Sequence, residues 1–293
     1  MASILAVGIA TLDIINTVSS FPAEDDEVRA LSQQQVRGGN ATNTLTVLSQ
    51  LEHQCAWAGI LIDEVDSQVI KHDLDQHHID ISSCHVLTQG KMPTSYITVN
   101  QHSGSRTIVH HRDCPEFSFA AFKKIDLSHF DWLHYEGRNI AETLLMLQYC
   151  KQYYPKLPCS IEIEKDRQGI QQLFDYADVL LFSKHYANSQ GFNQAATFLT
   201  SLQLNTLMTC TWGEQGAWLL TKEKELIHQE ACPPQQLVDT LAAGDTFNAG
   251  LIHSLINHFS VDESLRFACQ LAGHKCGQSG LEDLTSHFKY KSL

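Results

Sequence analysis

The clearest candidate for chemistry in this 293-residue sequence is a run of small residues that leads directly into a helical pattern. The run is VDTLAAGDTFN, residues 238–248. Unpaired backbone N–H groups at a helix start bind anions, and small side chains let a phosphate approach them. Asp245 would repel that anion, so its chemical task there is to take a proton from an attacking hydroxyl. The alternative is that Asp245 only caps the helix.

A second candidate is the segment RGGNATN at residues 37–43, which is also a glycine turn that enters a helix. Its two carboxamides, Asn40 and Asn43, are three residues apart and share a helix face. Asp13 follows the first predicted strand, and ligands gather at the carboxyl ends of parallel strands. Together the three side chains could bind the hydroxyls of a sugar. The alternative is an N-cap followed by an exposed asparagine.

A third segment, TCTWGEQGA at residues 209–217, is a strand that ends in a glycine turn and then resumes. Its glycines would let a flat ligand approach, but alone the segment is also what an ordinary β-hairpin needs.

The histidines are weak candidates for a metal site. His77 and His78 point in different directions on any regular element, and no spacing matches a structural zinc site. We therefore predict no metal held by protein ligands.

A repeated alternation of strands and helices must position these segments. Short apolar runs predict buried strands at residues 4–8, 55–60, 131–135, 160–164, 178–182 and 206–211. Helical patterns cover residues 41–51, 65–76, 141–151, 168–174, 194–202, 244–258 and 262–277. This alternation predicts an α/β fold with a mostly parallel sheet that helices cover on both faces.

Two stretches break the alternation. Residues 28–36 look extended, and residues 94–100 and 106–110 flank a turn that contains Gly104, which predicts a β-hairpin. We expect these strands, at about 13–37 and 92–113, to form a small antiparallel sheet inserted into a single domain spanning residues 1–293. Over the carboxyl ends of the parallel strands, such a sheet would be a lid or a dimer surface. The alternative is an ordinary edge decoration.

The composition limits the functions that the chain can have. The sequence has 20 Lys and Arg against 33 Asp and Glu, a formal charge of −13, which disfavours non-specific nucleic-acid binding and a basic membrane-binding patch. No apolar run approaches the roughly 18 residues needed to span a bilayer, and the first residues do not resemble a secretion signal. Nine cysteines without a C-x-x-C pair suit reduced thiols. We predict a cytoplasmic protein with no nucleic-acid or membrane partner.

In this order and at these separations, the three candidate segments resemble the ribokinase-like (PfkB) family of carbohydrate kinases, and the resemblance runs essentially end to end. The Gly-Gly-Asn and Ala-Ala-Gly-Asp motifs are specific to the family. Segments at residues 32–33, 104–108, 136–139, 162–165 and 272–277 also resemble its ketose kinase branch. The resemblance implies a three-layer α/β/α sandwich with a small β lid, called the β-clasp.

The resemblance also implies a role for each matching residue. Asp245 would be the base that activates the sugar hydroxyl, and the N–H groups of Ala242, Ala243 and Gly244 would hold the transferring phosphoryl group. The sugar would be bound by Asp13, Gly39, Asn40 and Asn43. ATP would be bound by Arg106, Gly213, Glu214, Gln215, Gly216, Gly273 and Cys276, with Mg²⁺ entering on its phosphates.

Two departures from the family pattern accompany the resemblance. The family usually has glycine where this chain has Ala242, although related sugar kinases also use Ala-Ala-Gly-Asp. The family's Asn-x-x-Glu element, which influences magnesium dependence, is not evident after residue 182, where the sequence reads SKHY. The ketose kinase branch also lacks that element. The resemblance therefore still implies an active kinase.

The expected reaction is the ATP-dependent phosphorylation of a ketose, with fructose favoured, at its primary C1 hydroxyl. The alternatives are a kinase for a fructose 6-hydroxyl, for ribose or for adenosine, and a sugar-sensing protein that has lost catalysis. The resemblance also implies a homodimer joined through the clasp, in which Asp25 would reach the partner's sugar. Because Asp25 lies within the acidic run Glu24–Glu27, the alternative there is a solvated loop.

Overall fold

The centre of the fold is a nine-stranded β-sheet. The structure is a computed structural model that describes residues 1–290. In chain order, all strands of the described residues are β1 (Ser3–Val7), β2 (Thr11–Val18), β3 (Ser32–Gly38), β4 (Gln54–Ala58), β5 (Ile60–Ile62), β6 (Ile79–Asp80), β7 (His85–Leu87), β8 (Lys91–Asn100), β9 (Arg106–Asp113), β10 (Trp132–Glu136), β11 (Cys159–Ile163), β12 (Val179–Ser183), β13 (Leu207–Thr211), β14 (Ala217–Leu220) and β15 (Leu226–Gln229). The α-helices are α1 (Asn40–Gln50), α2 (Asp66–Gln76), α3 (Phe119–Phe122), α4 (Ile140–Tyr153), α5 (Lys184–Ser189), α6 (Ala195–Ser201), α7 (Ala243–Ile256) and α8 (Val261–Lys275).

The main sheet has the strand order β15-β14-β13-β12-β11-β10-β1-β4-β6. Every pair from β13 to β6 is parallel, and β14 and β15 add antiparallel strands at one edge. Strands in such a sheet are apolar along their whole length because both faces are covered. In β1, for example, Ile4, Leu5 and Ala6 are all fully buried. The predicted mostly parallel sheet is confirmed.

Helices cover both faces of this sheet. Helices α1, α7 and α8 pack side by side on one face, and α2 lies beyond α1 against β6. Helices α4 to α6 follow the strands that extend the sheet in the other direction, and right-handed crossovers therefore place them on the opposite face. The short helix α3 contacts α4. This is the predicted three-layer α/β/α sandwich.

A second sheet of four strands, in the order β3-β2-β8-β9, is the separate small sheet expected of a lid. The prediction that it is antiparallel throughout was wrong, because β2 and β8 pair in parallel. The outer pairs β2–β3 and β8–β9 are antiparallel. No hairpin joins β2 to β8, since the chain passes through α1, β4 and α2 between them, so no short turn forces opposite directions.

The structure differs from the predicted elements in three further places. Residues 168–174 form no α-helix: Gly169 has a left-handed φ of 81°, and a 3₁₀ segment, Ile170–Tyr176, fills the short connection to β12. The extended stretch begins as a strand only at Ser32, four residues later than predicted. The short strands β5, β6, β7 and β15 and the short helices α3 and α5 were not predicted. Within the described residues, no helix is both long enough and apolar enough to cross a bilayer.

Candidate active site

Two adjoining cavities lie at the carboxyl ends of the parallel strands, where the predicted site residues gather. The first has a volume of about 490 Å³ and the second about 440 Å³. Arg106, Thr211, Thr240, Ala243 and Gly244 line both cavities. The start of α7 is therefore the junction at which a group can pass from one bound molecule to another.

A larger cavity, of about 930 Å³, lies at the opposite end of the sheet. It is lined by residues at the beginnings of strands, such as Ser3 of β1 and Gln54 of β4. It contains none of the predicted site residues. Size alone therefore does not identify the site, because catalysis needs convergent polar groups, which the two smaller cavities have.

Helix α7 begins at Ala243, and no side chain caps its first turn. Ala242, just before it, has a left-handed backbone with φ 58° and ψ 12°, a conformation that L-residues adopt at a steric cost. A Cβ atom on Gly244 would meet open space, so the wall there is bare backbone. The N–H of Ala243 makes only a long 3.3 Å turn contact with the oxygen of Thr240. This helix start fits an anion, as the sequence predicted.

Asp245 lies in the first turn of α7 and is only 6% exposed. Its Oδ2 accepts a hydrogen bond of 2.8 Å from Nδ2 of Asn43. Burial raises the pKa of Asp245 to about 7, an effect that the Asn43 hydrogen bond opposes and the nearby Glu164 and Glu136 carboxylates reinforce. A carboxylate with a pKa near neutrality is suited to accept and release a proton.

The glycine turn before α1 brings both predicted carboxamides to the first cavity. Gly39 has φ 109°, and a Cβ atom there would lie 2.2 Å from the carbonyl oxygen of Ile9, so only glycine fits. Asn40 donates to Glu162 Oε2 at 3.1 Å and to Glu164 Oε2 at 3.3 Å. Asn43 also lines this cavity, and its hydrogen bond to Asp245 uses only one of the two N–H groups of its carboxamide.

Asp13 reaches the same cavity from the clasp sheet, which we define as strands β3, β2, β8 and β9. Its row across that sheet pairs Asp13 with Ser95, and Ser95 with His110. Asp13 Oδ1 accepts a hydrogen bond of 2.8 Å from Thr11, and Ser95 Oγ lies 3.2 Å from Nδ1 of His110. Burial raises the pKa of Asp13, and the hydrogen bonds from Thr11 and Ser95 oppose this rise. Ser95 and His110 carried no signal in the sequence.

Three carboxylates near Asp245 had no predicted role. Glu136, Glu162 and Glu164 line the first cavity. Glu162 is hydrogen-bonded by Asn40 and Asn248, and burial, followed by the charge of Asp245, raises its pKa well above the ordinary value. The sequence could have indicated Glu162 as a functional residue, because it interrupts an apolar run predicted to be a buried strand. Charged residues are rarely buried in such a strand without a polar partner.

Basic side chains line the same cavity and balance part of this negative charge. Arg106, the predicted phosphate ligand and the first residue of β9, lies where both cavities meet. Arg138, Lys165 and Arg167 also line the first cavity. Arg138 is already paired with Glu116 and Glu136. The acidic chain therefore has the local positive charge that an anionic ligand requires.

The second cavity contains most of the residues predicted to bind a nucleotide. Gly213, Glu214, Gly216, Gly273 and Cys276 all line it. A Cβ atom on Gly273 would lie 1.8 Å from the Cys232 carbonyl oxygen, so this glycine is needed for packing whatever the cavity binds. The other lining residues are largely apolar, including Ala217, Leu237 and Phe247, which suits one face of a flat base.

Two predicted residues lie away from the cavities. Gln215 is absent from the lining, and its carbonyl oxygen instead accepts a hydrogen bond of 2.9 Å from His228. Asp25 is in an exposed turn, with a left-handed φ of 61°, and lines neither cavity of its own chain. The structure of one chain therefore brings neither of them to the site.

One cluster of potential metal ligands lies outside the site. Asp73, His77 and Glu282 have ligand atoms within 4.8 Å of one another. The carboxylate of Asp73 already accepts a hydrogen bond from the Arg37 guanidinium, and Glu282 is exposed. These side chains are accounted for by ordinary ion pairing.

Comparison with known proteins identifies the class that the fold and site define. Residues 1–287 match the pfkB family of carbohydrate kinases, and the chain belongs to that family. The predicted resemblance is confirmed, and the chain is a carbohydrate kinase.

Individual relatives show which kinases the chain is similar to. The chain is 42% identical over 292 residues to ketohexokinase from Mus musculus, covering 96% of this chain and 98% of that protein. It is 24% identical over 277 residues to ribokinase from Bacillus subtilis, covering 93% and 92% of the two chains. Among solved structures, ribokinase from Arabidopsis thaliana, complexed with ribose and ATP, superposes with a TM-score of 0.79 at 18% identity, covering 98% of this chain and 99% of that one. The last likeness concerns the fold alone.

The left-handed backbone of Ala242 generates a stability prediction. We expect Ala242→Gly to raise the free energy of unfolding by about 0.5–1 kcal/mol, because removing the steric cost outweighs the greater chain entropy of glycine. Urea denaturation of the purified variant measures this change. The matched control is Ala243→Gly, one residue further on and inside the helix, which should lower stability. A loss of stability in both variants would contradict the role of the left-handed backbone.

Proposed function

We propose that this kinase transfers the γ-phosphoryl group of ATP to the primary C1 hydroxyl of a ketose, with fructose as the favoured substrate. The products would be a ketose 1-phosphate and ADP. The observation that carries the phosphoryl transfer is the position of Asp245 and the uncapped start of α7 at the junction of two cavities. The choice of a ketose rests on the 42% identity to the mouse ketohexokinase.

The sugar would occupy the first cavity. Asp13, Asn40 and the second N–H of the Asn43 carboxamide can bind its hydroxyls, and Gly39 leaves room for it beside the backbone. Asp245 Oδ1 remains available to the reacting hydroxyl, since Asn43 bonds to Oδ2. Only a hydroxyl placed beside Asp245 can then react, so the orientation of the sugar decides which carbon receives the phosphate.

ATP would lie across the second cavity with its phosphates at the junction. The apolar lining around Phe247 suits the base, and the turn Gly213–Gly216 would lie along the nucleotide. Arg106 can bind phosphate oxygens, because it lines both cavities. The N–H groups at residues 242–244 would stabilise the charge on the transferring group. The ribokinases from Arabidopsis and Cryptococcus neoformans are described in complex with ATP and with ADP, respectively, which supports ATP as the phosphoryl donor.

Magnesium fits the oxygen-rich chemistry of the first cavity. Glu136 and Glu164 line that cavity, and hard divalent cations prefer oxygen ligands. When it is bound with ATP, Mg²⁺ would neutralise charge on the phosphates. We propose that it is held mainly by those phosphates and by water, so that no dedicated protein site is required.

In the reacting complex, Asp245 takes the proton of the primary hydroxyl. The hydroxyl oxygen bonds to the γ-phosphorus while the bond from that phosphorus to the bridging oxygen breaks, and ADP leaves. The proton remains on Asp245 until the product is released. Because the transition state is largely dissociative, positioning and charge stabilisation supply most of the acceleration.

We also propose a cytoplasmic homodimer joined through the clasp sheet. One face of that sheet carries exposed apolar side chains, including Tyr96 of β8 and Val109 of β9, which are direct cross-strand partners. In such a dimer, Asp25 would contact the partner's sugar. The nine cysteines without a disulfide are consistent with a reducing compartment.

The test of function is an assay with Mg-ATP and a panel of fructose, other ketoses, ribose and adenosine. We expect turnover of fructose, and phosphorus-coupled NMR should place the phosphate on C1. A product phosphorylated at C6 or on ribose would overturn the substrate and leave a sugar kinase. Sugar binding without any ATP consumption would favour a sugar sensor instead.

The base is tested by Asp245→Asn. We expect turnover to fall by about 10²–10⁴-fold while ATP binding, measured by calorimetry, is kept. In the unmodified enzyme, Asp245 must be ionised to act, so kcat/KM should rise with pH through about 7, the pKa of its carboxyl. Near-normal turnover in the variant, or a pH profile that falls through this range, would contradict the assignment.

The dimer is tested by light scattering and by Asp25→Asn. We expect a dimer, and we expect the variant to have a higher KM for the sugar with unchanged association. Asp26→Asn, the adjacent acid, is the matched control and should leave KM unchanged. A fully active monomer would remove both the clasp dimer and the role of Asp25.

A further inference from the structure

Arg37 is a buried cation at the end of β3, close behind the proposed base. Its side chain is only 3% exposed, although arginine is almost never buried without partners. Four acceptors meet its guanidinium: Asp73 at Nε, Thr42 Oγ1 at 2.9 Å and Asn43 Oδ1 at 2.8 Å at Nη1, and Thr46 Oγ1 at 2.8 Å at Nη2. The guanidinium is thus fixed in one orientation.

This arrangement settles which way the Asn43 carboxamide points. A guanidinium has only donors, so the atom of Asn43 that faces Arg37 must be the oxygen. The nitrogen then faces Asp245, and it donates to Oδ2 at 2.8 Å. An amide rotated by 180° would place an N–H against a cation and an oxygen against a carboxylate. Both contacts would be repulsive.

We propose that Arg37 is a positioning residue for the reaction: through Asn43 it orients the base, and it keeps one N–H of Asn43 available for the sugar. The proposal rests on the proposed function, because it concerns the same Asp245. Arg37 itself lines neither cavity. It therefore acts through Asn43 and by its charge, without touching the substrate.

The charge of Arg37 lowers the pKa of Asp245, as does the hydrogen bond from Asn43 to Asp245. Asp245 is faced by Glu136 of β10, Glu162 of β11 and Glu164, which follows β11. The first cavity is also lined by the cations Arg106, Arg138, Lys165 and Arg167. Burial, Glu164 and Glu136 raise the pKa of Asp245, whereas Asn43 and Arg37 lower it. Without the guanidinium, the base would hold its proton to a higher pH.

The competing explanation is that Arg37 only joins three elements. It links β3 to α1 through Thr42 and Thr46, and to α2 through Asp73. Loss of such a link would lower stability, and it would lower the rate equally at every pH. A change in the pH profile therefore separates the two explanations.

The test compares three variants in fructose turnover with Mg-ATP from pH 5.5 to about 9. Arg37→Gln removes the charge but keeps a hydrogen-bond donor. Arg37→Lys keeps the charge but removes the planar guanidinium, which can bond to several acceptors at once. Thr46→Val is the matched control, because it deletes a different hydrogen bond of the same guanidinium and leaves Asn43 in place. Urea denaturation of each variant measures the loss of stability.

For Arg37→Gln we expect the acid limb of kcat/KM to move up by about 1 pH unit. Turnover at pH 7 should fall by about fivefold, because the ionised fraction of Asp245 drops, and it should recover partly above pH 8. Arg37→Lys should shift the limb less but lower the alkaline plateau by about tenfold or more, since Asn43 is no longer oriented. Thr46→Val should lose stability and keep the limb of the unmodified enzyme.

Either of two results would overturn the proposal: an unmoved limb in Arg37→Gln with a uniform loss of rate, or full activity with an unchanged limb in Arg37→Lys. If Arg37→Gln does not fold, the plateau and limb of Arg37→Lys decide alone. Failure of the proposed function is distinct, because the unmodified enzyme would then phosphorylate no sugar. An active Asp245→Asn variant would remove the base and, with it, the reason for Arg37.

Discussion

The 2.8 Å hydrogen bond between Asn43 and Asp245 connects two helices that begin 203 residues apart, at Asn40 and Ala243. Helices α1 and α7 pack against each other on one face of the sheet, and both begin at the same cavity. That geometry requires the close approach of the turn before α1 to the backbone of Ile9, which only Gly39 permits. The bond can form because the two helices are fixed in this way. The proposed sugar contacts are placed relative to it.

Negative charge is the main electrostatic problem of this site. Asp13, Glu136, Glu162, Glu164 and Asp245 line a cavity that would also receive the phosphates of ATP. Burial, followed by the charge of Asp245, raises the pKa of Glu162, which shifts this side chain toward its neutral form. Arg37 and Arg106 of the clasp sheet, and Lys165 and Arg167 of the loop after β11, offset part of the negative charge. A chain with a net charge of −13 can therefore bind an anion through local arrangement alone.

The sequence predicted those parts of the fold and site that depend on neighbouring residues. The glycine turn at Gly39 and the small residues before Asp245 have local signals, because backbone geometry and helix starts impose them. Arg37 had no such signal as a positioning residue, since its partners Asp73 and Asn43 meet it only after α1 and α2 have packed. The parallel pairing of β2 with β8 was missed for a similar reason, because it depends on crossovers between distant segments. Gln215 was included by its place in a turn, and only the folded hairpin shows that it lies outside the lining.

The clasp sheet carries a proposed sugar ligand, Asp13, and a proposed phosphate ligand, Arg106. Asp13 lies on β2, and Arg106 lies on β9, in the row of Val99 and Thr17. Thr17 is four residues beyond Asp13, so the two rows are separated by about 13 Å along the sheet. Because continuous ladders join β2 to β8 and β8 to β9, these two groups cannot move independently. In the proposed complex, the position of the clasp sheet as a whole would therefore set the distance of both groups from the start of α7.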